Sequence, residues 1–175
     1  LTTDAEVVPD LLKGMLKDAV DNSFNMITVD GDSSTNDTVL IFANGAAGSG
    51  PIKEGSYEEQ LFRRALGQVC THLAKEITRD GEGASKLIEV TVEGAKTLEE
   101  ARSGARTVAG SLLVKTAVHG NDPNWGRVIA ALGRSEAGLE EEKIALYIND
   151  VCIMEGGLPI PFHKDSIIAI MSGSE

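Results

Sequence analysis

Residues 28–48, TVDGDSSTNDTVLIFANGAAG, decide how the chain is read. Carboxylates, hydroxyls and an amide crowd the first half, and the second is an apolar run ending in small residues. With the residues just upstream, the stretch predicts two short strands, NMITVDG and TVLIFANG, joined by a polar connection. The second is almost continuously apolar, as in a strand covered on both faces. The connection itself has four readings: a cation loop, a phosphate cradle, a catalytic corner or a turn. A calcium loop of the helix-loop-helix type needs glycine at its sixth position and a bidentate glutamate at its twelfth. Counted from Asp30, those places hold Thr35 and Ile41. A phosphate cradle needs a glycine-rich turn that feeds a helix N-terminus. Here the polar run feeds a strand and carries acids. What remains is an Asx/ST-rich connection in which Asp30, Asp32, Ser33, Ser34 and Thr35 bond local backbone. The same density of donors and acceptors at a strand end also suits the lining of a polar small-molecule site.

Outward from this stretch, helices and strands alternate. Residues 8–20 place Val8, Leu11, Leu12, Met15, Leu16 and Val20 at helical spacing, with Pro9 in the first turn where its missing N–H costs nothing. Residues 56–83 predict the longest helix: Ser56 and Glu59 form a capping box, and Phe62, Leu66, Val69, Leu73 and Ile77 descend one face. Gly81 or Gly83 ends it. SKLIEVTVEGA reads as a strand, and TLEEARSGARTVAGSLLVKTAVHG as a second long helix opened by Thr97 and Glu100. A shorter helix in GRVIAALGRSEAG, a strand pair in KIALYIND and VCIMEGG, and a strand-like DSIIAIM follow. The fold class is α/β, a mixed sheet covered by helices.

A length of 175 residues supports one main core, and the aromatic content of 4% makes that core aliphatic. A net charge of −11 argues against nucleic acid and against anionic membranes. No run of 18 apolar residues and no basic-then-apolar leader is present, so the chain reads as soluble and intracellular. Cys70 and Cys152 lack metal-ligand spacing and read as buried thiols. The absence of an initial methionine, and an end just after an apolar run, predict a piece of something longer.

Two further segments carry chemistry. In RDGEGASK, Glu82 stands between two glycines directly after a long helix, a place from which a carboxylate meets a ligand ammonium by a charge-assisted hydrogen bond; a solvated surface turn is the plainer reading. In KTAVHGNDPNWGR, Trp125 lies at a helix start where Asn121 or Asp122 caps and Pro123 takes the first turn. That is either a packed helix start or a loop whose polar groups face a site. His72, His119 and His163 form no triad legible from spacing. From the residues alone, the reading reaches a soluble α/β protein with a polar small-molecule site.

The segments LTTDA, TVDGDSSTNDT, RDGEGASK and KTAVHGNDPNWGR, in this order and spacing, resemble the β chain of the ornithine acetyltransferase family, the glutamate N-acetyltransferases of arginine biosynthesis. The resemblance runs through essentially the whole chain. It implies a self-cleaving fold like that of the N-terminal-nucleophile enzymes, two sheets sandwiched by helices. It implies a single β-chain fragment over 1–175, in which 1–138 form the main catalytic α/β part and 139–175 begin a strand-rich C-terminal part. The nucleophile it implies is an N-terminal threonine five residues upstream of Leu1, so no catalytic residue is assigned within this chain. Glu82 matches a substrate-binding glutamate; Asn36, Asp37, Asn121, Asp122 and Arg127 match motif positions and are candidate site-lining residues. No metal or organic cofactor is implied, and acetyl-CoA is a second donor only in members that also acetylate glutamate directly. The implied substrates are N2-acetyl-L-ornithine and L-glutamate. The implied partner is the α chain of the same precursor, in an α2β2 assembly located in the cytoplasm, or in the mitochondrial matrix of a fungus. A related self-processing aminopeptidase or amidase is the alternative.

Overall fold

The computed structural model describes residues 1–174, which form a mixed α/β chain divided into two compact units. The first comprises residues 1–27 and 32–78, the second residues 28–31 and 79–175. The chain therefore passes from one unit to the other inside the quoted stretch, and the expected boundary at 138 falls within the second unit.

The first unit is built on two helices. Helix α1, Pro9–Asp21, starts where the extended Val8 hands over to Pro9, and it buries Met15 and Ala19. Helix α2, Tyr57–Arg79, buries Leu66, Cys70 and Ala74. Met15, Ala19, Leu66 and Cys70 form one apolar cluster, flanked by Leu11, Phe24, Ile41 and Phe62. The buried face of α2 is rotated from the expected one. Phe62 and Leu66 face the cluster, but small Cys70 and Ala74 continue it, while Val69, Leu73 and Ile77 are exposed. Large side chains alone mark an apolar stripe, not which side of it is covered. Burial also holds the Cys70 thiol above its ordinary pKa, outweighing the opposing pull of the N-terminal charge.

The expected strands of this unit are only partly realised. Strand β1, Thr2–Thr3, pairs in parallel with β3, Phe42–Ala43, and β2, Glu6–Val7, with β4, Pro51–Ile52. Phe24–Met26 form a single 3-10 turn rather than a strand.

In the second unit the expected long helix is two, α3 (Leu98–Ala109) and α4 (Leu112–His119). Gly110 closes α3, and the Ser111 hydroxyl accepts from Val114 N–H to cap α4, so a stop and a start signal sit side by side. Helix α5, Trp125–Leu132, packs on α3 where Gly104 lets Leu132 approach; a Cβ at that glycine would lie 3.1 Å from Leu132 Cδ1. Val108, Val114 and Ala131 form the core of these three helices. Strands β5 (Leu146–Ile148), β6 (Val151–Glu155) and β7 (Leu158–Pro159) make an antiparallel sheet. Asn149 takes a positive φ of 49° in the turn between the first two.

DSIIAIM is helical, not extended. Helix α6 runs Lys164–Met171 and buries Ile167, and His163 Nδ1 and Ser166 Oγ lie 3.0 Å apart at its start. A short apolar run does not distinguish the two states. The SKLIEVTVEGA segment has no strand ladder; Leu87 N–H donates to Ser174 C=O at 2.8 Å.

The α2 start couples capping to an ion pair. Ser56 Oγ accepts from Glu59 N–H at 3.1 Å, but the Glu59 carboxylate reaches Gly55 N–H at 2.5 Å, one residue before the expected partner. Arg63 then donates to Glu59 Oε1 and to Asp18 Oδ2 of α1, each at 2.7 Å. The Arg63 hydrogen bond, with that of Gly55, holds the Glu59 carboxyl below its ordinary 4.5. A folded-state pKa below the unfolded one stabilises fully above pH 4.5, and that stabilisation is lost as pH falls through the folded value. Glu59→Gln is therefore expected to lower the melting temperature near neutrality, with the gap to the parent closing as pH falls below 4.5. Thermal unfolding across that range checks it, and a gap independent of pH contradicts it.

Candidate functional site

Three of the four polar motif segments meet on helix α4. Lys115, in the middle of that helix, donates to Thr28 C=O at 2.5 Å and Val29 C=O at 2.8 Å, and so holds the first residues of the quoted stretch. At the carboxyl end of the helix, Ser85 of RDGEGASK lies 3.3 Å from His119 Nδ1. Lys86 donates to Val118 C=O at 2.9 Å, to Met171 C=O at 2.6 Å and to Asn121 Oδ1. Asn121, with φ 53°, begins the NDPNW loop of the third segment.

Glu82 sits at a corner. Ala84 N–H donates to Gly81 C=O at 2.9 Å, which closes a four-residue turn with Glu82 and Gly83 at its centre. Gly83 has φ 70°, a left-handed value that glycine adopts at the third position of such a turn without the strain a side chain would bring. The Glu82 side chain is exposed.

The groups of NDPNW serve mainly the scaffold. Asp122 N–H donates to Ala117 C=O at 2.8 Å, and Asp122 Oδ2 accepts from Asn124 Nδ2 at 2.9 Å. Neither Asn121 nor Asp122 caps α5; Asn124 does, its Oδ1 accepting from Arg127 N–H at 3.1 Å, while Pro123 precedes the helix. Arg127 reaches across to Leu113 C=O and Thr116 Oγ1, each at 3.1 Å, and clasps α5 to α4. Trp125, 37% exposed, forms part of the wall of two hollows. One is a largely apolar cleft of about 230 Å³ between α4, α5 and the β5–β6 sheet, with Lys86, Asp122 and Asn124 on its polar side. It can take the aliphatic part of a small ligand, with polar groups at its rim. The other lies against Phe162 and Lys164.

Asn36 and Asp37 belong to the first unit, in a tight local motif. Ser34 Oγ accepts from both of their backbone N–H groups, at 3.2 and 3.1 Å, and lies 3.0 Å from Asn36 Oδ1. That is the Asx/ST arrangement expected from composition, centred on Ser34. Glu82, Asn121, Asp122 and Arg127 thus share one unit, and Asn36 and Asp37 lie in the other. Lys86, Lys115 and His119 stand inside the quoted motifs without a role read for them. Their acceptors are mostly backbone carbonyls, which no residue pattern reveals.

A profile of the ArgJ family matches residues 1–175. An arginine biosynthesis bifunctional protein ArgJ from Symbiobacterium thermophilum is 52% identical over the whole chain, which spans 44% of that protein. The protein of the same name from Dehalococcoides mccartyi is 53% identical over 158 residues, 90% of this chain and 39% of the relative. The chain therefore spans less than half the length of these curated relatives. The crystal structure of an arginine biosynthesis bifunctional protein argJ from Bacillus halodurans superposes with a TM-score of 0.96, at 41% identity, over 98% of this chain and 81% of that one.

Replacing Asn124 by Ala removes the cap of α5 and is expected to cost about 1 kcal/mol, whereas Asp in its place is near neutral. Chemical denaturation of both variants checks this; equal losses would mean that the side chain acts through some other contact.

Proposed function

The chain belongs to the ArgJ family, and from that membership we propose that it is the β-chain portion of an acetyltransferase that moves the acetyl group of N2-acetyl-L-ornithine to L-glutamate in arginine biosynthesis. The observation that carries the reading to the site is Glu82, exposed at the corner of a glycine turn that is anchored beside the NDPNW loop. A carboxylate so held pairs with a substrate ammonium or amide N–H, and a charge-assisted bond of that kind is among the stronger single contacts available.

The chemistry follows from an N-terminal threonine upstream of Leu1. Its hydroxyl adds to the acetyl carbonyl while its own α-amine takes the proton. Collapse of the tetrahedral intermediate breaks the amide, and the proton passes to the departing nitrogen of ornithine. The uncharged amine of glutamate then attacks the acetyl-threonine ester; the threonine α-amine takes the amine's proton and hands it to the threonine oxygen as the ester C–O bond breaks, which restores the hydroxyl. Within the first unit, β1 runs alongside β3, with Leu1 N donating to Leu40 C=O at 2.8 Å. An extended chain rises roughly 3.3 Å per residue, so a threonine five residues earlier lies within roughly 17 Å of Leu1.

On this reading the fold is the self-cleaving sandwich of N-terminal-nucleophile type, with 139–175 beginning the strand-rich C-terminal part. The partner is the α chain, in an α2β2 assembly. The exposed row Val69, Leu73 and Ile77 on α2 supports a partner, because an apolar stripe of this kind calls for a cover. The proposed place is the cytoplasm; among the described residues no helix is long and apolar enough to cross a membrane. The reading calls for no metal or organic cofactor, with acetyl-CoA as a second donor to be assayed. Asn121, Asp122 and Arg127 are proposed to shape the surroundings of Glu82 through their hydrogen bonds rather than to react; Asn36 and Asp37 are proposed as site-lining residues on the surface of the first unit.

The test is an assay of the assembled enzyme with acetylornithine and glutamate, with acetyl-CoA in a parallel arm. Acetylglutamate formed in stoichiometric balance with ornithine is the expected product; free acetate in its place would assign an amidase. Glu82→Ala is expected to raise KM for acetylornithine by about tenfold or more, the loss of one charge-assisted contact, with the melting temperature unchanged. Parent kinetics in that variant would remove Glu82 from the site.

A further inference from the structure

We propose that Lys86 is the positioning residue for Glu82: its ammonium, held at the junction of two helix ends and Asn121, fixes the turn that presents the carboxylate. The proposal rests on the reading of Glu82 as a substrate-binding residue.

An ammonium carries three N–H donors, and Lys86 has three acceptors, from three separate segments. Val118 lies in the last turn of α4, and Met171 is the last residue of α6. Their carbonyls accept at 2.9 and 2.6 Å, and Asn121 Oδ1 completes the set. Carbonyls in the last turn of a helix have no partner within it and stand at the negative end of its dipole. Two such ends converge on one cation, so among the described residues the charge is met by dipoles and not by a carboxylate. Lys86 is half-buried, as this requires. The neighbouring Ser85–His119 contact, 3.3 Å, attaches the same segment to the same helix end.

Among the described residues, the turn at Glu82 has little else to hold it. One backbone bond closes residues 81–84, and Gly81 and Gly83 leave it soft. Only three residues separate Glu82 from Lys86, so the anchored end limits where the free end points. Asn121 takes part through its left-handed φ of 53°, which aims its side chain back toward the helix end. A position of this conformation accepts glycine readily, which permits a clean test.

The assembled enzyme carries Lys86→Met, Lys86→Arg, Asn121→Gly and the double variant Lys86→Met with Asn121→Gly. Lys86→Met is expected to raise KM for acetylornithine about tenfold with kcat within about twofold, because presentation and not chemistry is lost. Backbone hydrogen exchange is expected to quicken at residues 81–86 and 119–122 while α1 and α2 keep their protection. The double variant is expected to be no worse than Lys86→Met alone, since the bond that Asn121→Gly removes is one of the three already lost with the ammonium. Arg cannot direct its planar fork at three such acceptors, so it restores KM only in part. An unchanged KM, a fall confined to kcat, or exchange that rises uniformly would each overturn the proposal. If Lys86→Met does not fold, Asn121→Gly decides: faster exchange at 81–86 with a raised KM supports it, and parent values of both refute it. Should the parent enzyme fail to transfer acetyl, the function falls, while the exchange measurement still reports on the tether.

Discussion

A short helix ends in carbonyls that nothing within it can bond, and the way α4 satisfies its own organises the second unit. Asp122 N–H takes Ala117 C=O, Asn121 N–H takes Val118 C=O at 3.1 Å, and the Lys86 ammonium shares the latter. Earlier in the helix, Leu113 C=O accepts from Arg127, and Lys115 reaches outward to Thr28 and Val29. One eight-residue helix thereby gathers the start of the TVDG stretch, the RDGEGASK segment and the NDPNW loop. Leu112 and Leu113 remain exposed while Val114 and Ala117 are buried, so α4 is held more by these polar ties and one apolar face than by envelopment.

The elements legible in the sequence are those whose signals are local. Pro9 begins α1, Ser56 and Glu59 begin α2, and Thr97 begins α3 with its hydroxyl accepting from Glu100 N–H at 3.1 Å. The strands depend on partners far along the chain, and most shrink to two-residue pairs or, from Lys86 to Val92, to chain without a ladder. The break between α3 and α4 was written in Gly110–Ser111, but continuous apolar periodicity on both sides hides it. In DSIIAIM the apolar run is too short for either period to show, and its helical state is set by the burial of Ile167.

For the candidate site, residue type revealed more than residue partnership. Glu82 is legible because two glycines isolate a carboxylate. Lys86 is not, since its partners are carbonyls of residues 32 and 85 positions away and an amide 35 away. Asn124 was hidden for a different reason: four consecutive residues in NDPN are plausible at a helix start, and only backbone angles choose the one that caps.

The choice of carbonyls over a carboxylate has a consequence for Glu82. In a chain of net charge −11, a lysine four residues from a glutamate has an obvious partner close at hand. Had the ammonium paired with Glu82, the acid would be neutralised, and a substrate ammonium would have to displace an existing cation to reach it. Two helix ends and Asn121 instead take all three donors of Lys86. The cation thus anchors the segment that carries the acid while leaving the acid's charge available. An exposed carboxylate in solvent binds weakly by itself. What improves it is a fixed direction, because a rigid acceptor loses less freedom when a ligand arrives. The helix-end tether supplies that fixity without cancelling the charge that recognition uses.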